Sequence, residues 1–221
     1  MRAYYFIGLL GLVLALQILS AKDKPKPEPI APEPSAAHTQ TAVFGMGCFW
    51  CSEALFERFR GVQVAVCGYA GGTKPDPSYE EVSSGTTGHA EVVQVTFDPS
   101  IITYQQLLDI FWEVHDPTTL NKQGEDEGTQ YRSIILYAND EQKQLAEASK
   151  AAAQKKFGKP LVTEIVPLKA FYRAEDYHQS YFKKHPHAPY CYYVIGPKLQ
   201  KLEKHPEAAP PLKPDDSSLF H

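Results

Sequence analysis

Cys48 and Cys51 stand three positions apart in the stretch Gly47-Cys48-Phe49-Trp50-Cys51-Ser52-Glu53. Two sulfurs that close, with two large aromatics between them, admit three chemistries: metal binding, dithiol redox exchange, or attack by one sulfur on an electrophile. A zinc site wants a second close pair, and the residue three after Cys67 is Ala70, so no metal is expected. Two structural disulfides among Cys48, Cys51, Cys67 and Cys191 are the plain alternative in an exported chain. A Cys48–Cys51 bridge, however, closes so small a loop that it removes little unfolded-state entropy. Reactivity fits better. Cys48 follows a strand and the pair Gly45 and Gly47, at a point where a helix begins and its unpaired N–H groups and positive dipole end favour an anion. Its pKa is therefore expected below the free-thiol value of ~8.5. Phe49 and Trp50 read either as core aromatics or as a dry wall for a small apolar group.

One carboxylate is also placed to act. In His89-Ala-Glu-Val-Val-Gln-Val-Thr-Phe-Asp98 side chains alternate, so Glu91 shares a face with Val93, Val95 and Phe97. A carboxyl aimed at an apolar face is desolvated, which raises its pKa and makes it a general acid near neutral pH. The histidines carry less. His178 reads as a packed or hydrogen-bonding helix residue, and His185 and His187 flank Pro186 in an exposed loop.

The elements that hold these groups follow from periodicity. Thr41–Met46, Val62–Tyr69, His89–Asp98, Tyr131–Ala138 and Leu161–Val166 read as strands, the last as the final core strand. Cys48–Phe59 reads as a helix with Ala54, Leu55 and Phe59 inward; Thr103 with Gln106 forms a capping box before a helix burying Leu107, Leu108, Phe111 and Trp112. Asn139 caps a long helix that ends at Gly158. Interleaved elements of both kinds predict an α/β (α+β) two-layer sandwich, with helices packed on a mixed or mostly parallel central sheet.

The 221 residues, 43% hydrophobic and 22% charged, suffice for one well-buried domain. With 22 basic against 26 acidic residues and a net charge of −4, nucleic acid and anionic lipid are not expected partners. Arg2 and the apolar run Tyr4–Leu19 read as a signal peptide or N-terminal membrane anchor within residues 1–21. Residues 22–40, with five prolines among charges, read as an extended linker. The domain is expected over 41–204 and a flexible tail over 205–221, in an exported protein that is periplasmic or tethered to the outer face of a membrane.

Five motifs in order, GCFWCSE, GYAGG (68–72), GHAEVVQVTFDP (88–99), QGEDEGTQYRS (123–133) and AEDYHQ (174–179), resemble peptide methionine sulfoxide reductase, type A, over Thr41 to Leu199. The resemblance implies a ferredoxin-like core and reduction of the S epimer of methionine sulfoxide, free or in proteins. It further implies a monomer with no bound cofactor, recycled by thioredoxin or a thioredoxin-like donor (dithiothreitol in vitro). Cys48 matches the nucleophile, Phe49 and Trp50 the aromatics around the substrate methyl, and Tyr79, Glu91, Asp126 and Tyr131 the polar groups around the sulfoxide. Cys191 resembles a C-terminal resolving cysteine. Many members carry Gly where this chain has Cys51, so either Cys51 or Cys191 resolves the sulfenic acid on Cys48. Cys67 reads as a buried structural thiol. A thioredoxin-type dithiol oxidoreductase using Cys48 and Cys51, or a disulfide-stabilised binding domain, is the competing reading.

Overall fold

The structure, a computed structural model, describes residues 39–204 and 211–213. The expected signal or anchor, nearly all of the linker, and residues 205–210 and 214–221 of the tail lie outside the described residues.

β1 (Gln40–Met46) leads through a turn at Gly47 into α1 (Phe49–Phe56), and β2 (Val62–Ala70) follows. Gly47 has φ +94°, a conformation that only glycine adopts without strain, and a Cβ there would lie 2.7 Å from Gln123. α2 (Tyr79–Ser83), β3 (Ala90–Phe97) and α3 (Tyr104–Val114) come next. The Thr103–Gln106 capping box is present in full, and Leu107, Leu108, Phe111 and Trp112 are all buried. A small hairpin of β4 (Lys122–Gln123) and β5 (Asp126–Glu127) and a 3₁₀ turn (Thr129–Tyr131) lead into β6 (Ser133–Tyr137). α4 (Asp140–Gln154), capped by Asn139, is followed by β7 (Glu164–Pro167), β8 (Phe171–Arg173) and α5 (Tyr181–Lys184). A π-helical turn (Cys191–Ile195) then runs into α6 (Gly196–Lys204).

The six-stranded sheet has the order β7-β6-β1-β3-β2-β8, and only the edge pair β6–β7 is parallel. A mostly parallel sheet is thus corrected. The unit built on α1 is split: α1 joins β1 to β2, but β3 inserts between them and runs antiparallel to both, whereas α4 joins the neighbouring parallel strands β6 and β7. Periodicity shows that strands and helices alternate, not that a later strand separates them. The inner four strands, β6-β1-β3-β2, give the ferredoxin-like core. Leu161–Val166 is also not the last strand, since β8 follows on the opposite edge. Gln40, expected in the linker, already pairs with Phe97, and Leu212, expected in the tail, forms a bridge with Phe59.

The helices cover one face of the sheet. There Phe44 meets Phe56, Tyr104 and Phe111 at ring separations of 5.3, 6.1 and 5.5 Å. Full burial of side chains of this size contributes roughly 1.5–3 kcal/mol each. On the other face Val43, Val92, Ile134 and Leu136 form a smaller layer under Val166, Leu168 and Phe171. α1 is sunk into the molecule, with every residue but Trp50 buried. Its N-terminus opens at the sheet end where β1 and β2 finish and β3 and β6 begin.

Candidate active site

Cys48 is the N-cap of α1 and only 7% exposed. The backbone N–H of Phe49, the first unpaired donor of the helix, goes not to the thiol but to Glu91 Oε2 at 3.0 Å. Glu91 stands opposite Tyr69 in the β2–β3 ladder, 2% exposed. Burial pushes its carboxyl up to about 8, Asp126 and Cys51 add to the rise, and the Phe49 N–H holds it down. The strand alternation therefore located an acid that is protonated at neutral pH.

The thiol pair is polarised the other way round from the expectation. Burial pushes the Cys48 thiol well above its ordinary value, with the neighbouring Cys51 and Glu91 adding to the shift. The hydrogen bond from Cys48 lowers Cys51 to about 7, against burial, with help from Lys198 and Tyr190. Two local facts explain the correction. α1 has only eight residues, and its leading N–H is already engaged by Glu91, so little of the helix terminus remains to offset the desolvation of Cys48.

The remaining expected residues gather round this pair. Tyr79 opens α2 and Tyr131 closes the 3₁₀ turn; burial raises both phenols, and the charges of Glu91, Cys48 and Asp126 all reach them. Phe49 is buried against Tyr69 and His178, at ring separations of 5.9 and 4.9 Å. Trp50 stacks on Tyr181 at 3.8 Å and 8° and donates its indole N–H to His178 Nδ1 at 3.1 Å. Asp126, on the hairpin, accepts the Tyr190 hydroxyl at 2.7 Å, and that hydroxyl lies 3.7 Å from Cys51 Sγ. Cys191 is fully buried at the start of the π turn, its thiol raised by burial and by nearby Cys51. All four thiols are free.

Of the groups that fasten this wall, sequence reasoning singled out His178 and missed Glu175, Glu53, Tyr190 and Lys198. His178 bonds as expected but lies in a turn, not a helix, and burial holds its pKa below the usual range, so it stays a neutral acceptor for Trp50. The Glu175 carboxylate accepts from the Tyr69 hydroxyl and the Tyr79 backbone N–H at 2.8 and 2.9 Å. Buried Glu53, pushed up to about 7 by burial, accepts the Ser180 N–H that opens α5. Tyr190 adjoins a cysteine already singled out; nothing in the sequence marks Lys198. Cys67 is fully buried and donates to the Phe49 carbonyl at 3.5 Å, and burial raises its thiol well above the ordinary value, consistent with an inert packing role. His185 and His187 are exposed. Among the described residues no cluster of three or more His, Cys, Asp or Glu could hold a metal ion.

The site joins an apolar wall, a protonated carboxyl with two phenols, and a thiol pair. That arrangement suits a ligand with a small apolar group beside a strongly polar S=O. The sequence model for peptide methionine sulfoxide reductase matches residues 40–209. The chain is 57% identical over 165 residues to peptide methionine sulfoxide reductase MsrA of Sulfolobus acidocaldarius, an alignment covering 75% of this chain and 94% of that one. It is 53% identical to the protein of the same name from Pasteurella multocida, covering 75% and 95%. Among solved structures, reduced Mxr1 of Saccharomyces cerevisiae superposes with a TM-score of 0.67 at 36% identity, covering 72% of this chain and 92% of that one. Methionine sulfoxide reductase A of Corynebacterium diphtheriae gives 0.63 at 36% identity, covering 75% and 90%.

Proposed function

The chain belongs to the peptide methionine sulfoxide reductase family, type A, and reduces methionine sulfoxide to methionine; from that premise we propose how its residues divide the work. The observation that carries the reading is Cys48 at the helix start, with the Glu91 carboxyl bonded to the very next N–H. The substrate methyl lies against Phe49 and Trp50, and the sulfoxide oxygen faces Glu91, Tyr79 and Tyr131. Cys48 attacks the sulfoxide sulfur while Glu91 gives its proton to the oxygen. A bond forms between the Cys48 and substrate sulfurs as the Cys48 proton replaces the one Glu91 gave up. The substrate S–O bond then breaks, the hydroxyl moves to the Cys48 sulfur as the S–S bond breaks, and methionine leaves with Cys48 as a sulfenic acid. A wall, an oxygen site and an attacking thiol fixed at three corners make the pocket chiral. We assign it the S epimer.

Of the two candidate resolving thiols, Cys51 comes first: it is hydrogen-bonded to Cys48 and is the more readily ionised, whereas Cys191 neighbours Cys51. A Cys48–Cys51 disulfide then passes to Cys191, and a thioredoxin-like protein reduces the result. Arg2, the apolar run and the proline-rich stretch support work outside the cytoplasm, periplasmic or tethered to a membrane's outer face. The test is peptide mapping of the reduced protein after one equivalent of each epimer. The S epimer yields methionine and a Cys48–Cys51 bridge at the earliest times, with Cys191 bridges later. A first bridge between Cys48 and Cys191, or turnover of the R epimer alone, sinks the corresponding assignment.

A further inference from the structure

Lys198 lies outside every motif of the family resemblance, yet its ammonium sits 3.8 Å from Cys51 Sγ. The placement is built into the fold. α6 continues directly from the turn that begins at Cys191, and Ile195 and Leu199, 0% and 1% exposed, anchor the backbone on either side of Lys198. Cys51 is itself 3% exposed, so little water intervenes to screen the pair. The titratable and charged groups facing Cys51 are Cys48, Glu91, Asp126, Tyr190, Cys191 and Lys198. Among these described residues Lys198 is the one cation.

We infer that Lys198 activates Cys51 as the resolving thiol, its ammonium stabilising the thiolate that attacks the sulfenic acid on Cys48. The inference rests on the assignment of Cys48 as nucleophile. In the resting protein the Cys48 S–H is the first cause of the lowered Cys51 pKa and Lys198 is the next group that lowers it. After the first half-reaction that S–H is gone, because the Cys48 sulfur carries a hydroxyl. The Lys198 charge then remains as the standing stabiliser of a Cys51 anion. In the resolving step the Cys51 thiolate attacks the Cys48 sulfur, the S–S bond forms and the S–O bond breaks. The hydroxyl leaves as water with the proton that Cys51 released. The sulfenic sulfur is reduced as the Cys51 sulfur is oxidised, so no outside reagent enters.

The test mixes the reduced full chain with one equivalent of methionine sulfoxide and quenches at intervals. Methionine is measured by chromatography and the Cys48–Cys51 bridge by mass spectrometry after alkylation. In Lys198→Met at pH 7, the rate of bridge formation relative to methionine release falls about tenfold, equivalent to about one pKa unit on Cys51. The ratio recovers as pH rises towards ~9, and Lys198→Arg keeps most of it. In the resting proteins, the midpoint of Cys51 alkylation moves up by about one pH unit in Lys198→Met. An unchanged ratio at pH 7, an unmoved alkylation midpoint, or a deficit that neither alkali nor arginine restores overturns the inference. Absence of methionine release from the wild type overturns the assignment of Cys48, and the inference with it.

Discussion

Replacing Glu91 with glutamine sets stability against catalysis, and the size of the effect follows from the burial of one carboxyl. Glu91 is 2% exposed and its carboxyl is pushed from 4.5 to about 8. Between those pH values the folded protein holds a proton that the unfolded chain has released. The stability this proton confers is complete below pH 4.5 and is lost as pH rises to about 8. A shift of about 3.5 units at ~1.4 kcal/mol each gives a ceiling of roughly 5 kcal/mol. Glutamine keeps the shape and an oxygen for the Phe49 N–H but does not ionise. Urea unfolding of both proteins in reductant at pH 5, 6, 7 and 8 should therefore show the stability difference moving in favour of Glu91→Gln by about 1 kcal/mol or more per unit. Glu53 titrates in the same range, but it does so in both proteins and cancels in the difference. Single-turnover methionine formation should meanwhile fall by roughly 10² to 10⁴. Parallel stability curves would show that Glu91 ionises near its ordinary value. An unchanged single-turnover rate would move the proton donor to Tyr79, Tyr131 or water.

Two further outcomes separate the chemical groups from their supports. Cys48→Ser should abolish single-turnover methionine formation, whereas Cys67→Ser, whose hydroxyl can still donate to the Phe49 carbonyl, should retain most of it; activity surviving in the first variant would remove Cys48 from the mechanism. His178→Leu leaves the Trp50 indole N–H without its acceptor, a loss of about 1–3 kcal/mol in stability. KM should rise more than kcat falls, and His178→Gln should restore part of it; equal effects of leucine and glutamine would rule out the hydrogen bond as the cause.

What the sequence made legible was whatever depends on neighbours along the chain. The Thr103–Gln106 box, the burial of Leu107, Leu108 and Phe111, and the inward aim of Glu91 all follow from spacings of two to four residues. What it hid depends on contacts between distant segments. β3 divides β1 from β2 through ladders that no local pattern records. Lys198 meets Cys51 across 147 positions, and His178 meets Trp50 across 128. The polarity of the thiol pair was misread because a helix start was weighed without the carboxyl that occupies it. Desolvation of Cys48 then outweighs what the short helix offers.

The stacking of Trp50 on Tyr181, with Tyr190 edge-on at 6.0 Å, gives the protein an internal optical probe. The chain has two tryptophans. Trp112 is buried on α3 with its indole N–H bonded to Ser149 at 2.8 Å and its ring edge-on to Phe111, a different environment from that of Trp50. Trp50 reaches the thiol pair through Tyr190, whose hydroxyl lies 3.7 Å from Cys51 Sγ, and thiolates and disulfides quench indole fluorescence at short range. Each change in the Cys48–Cys51 pair therefore registers in the light the protein itself emits, and the redox cycle can be followed in real time without a label.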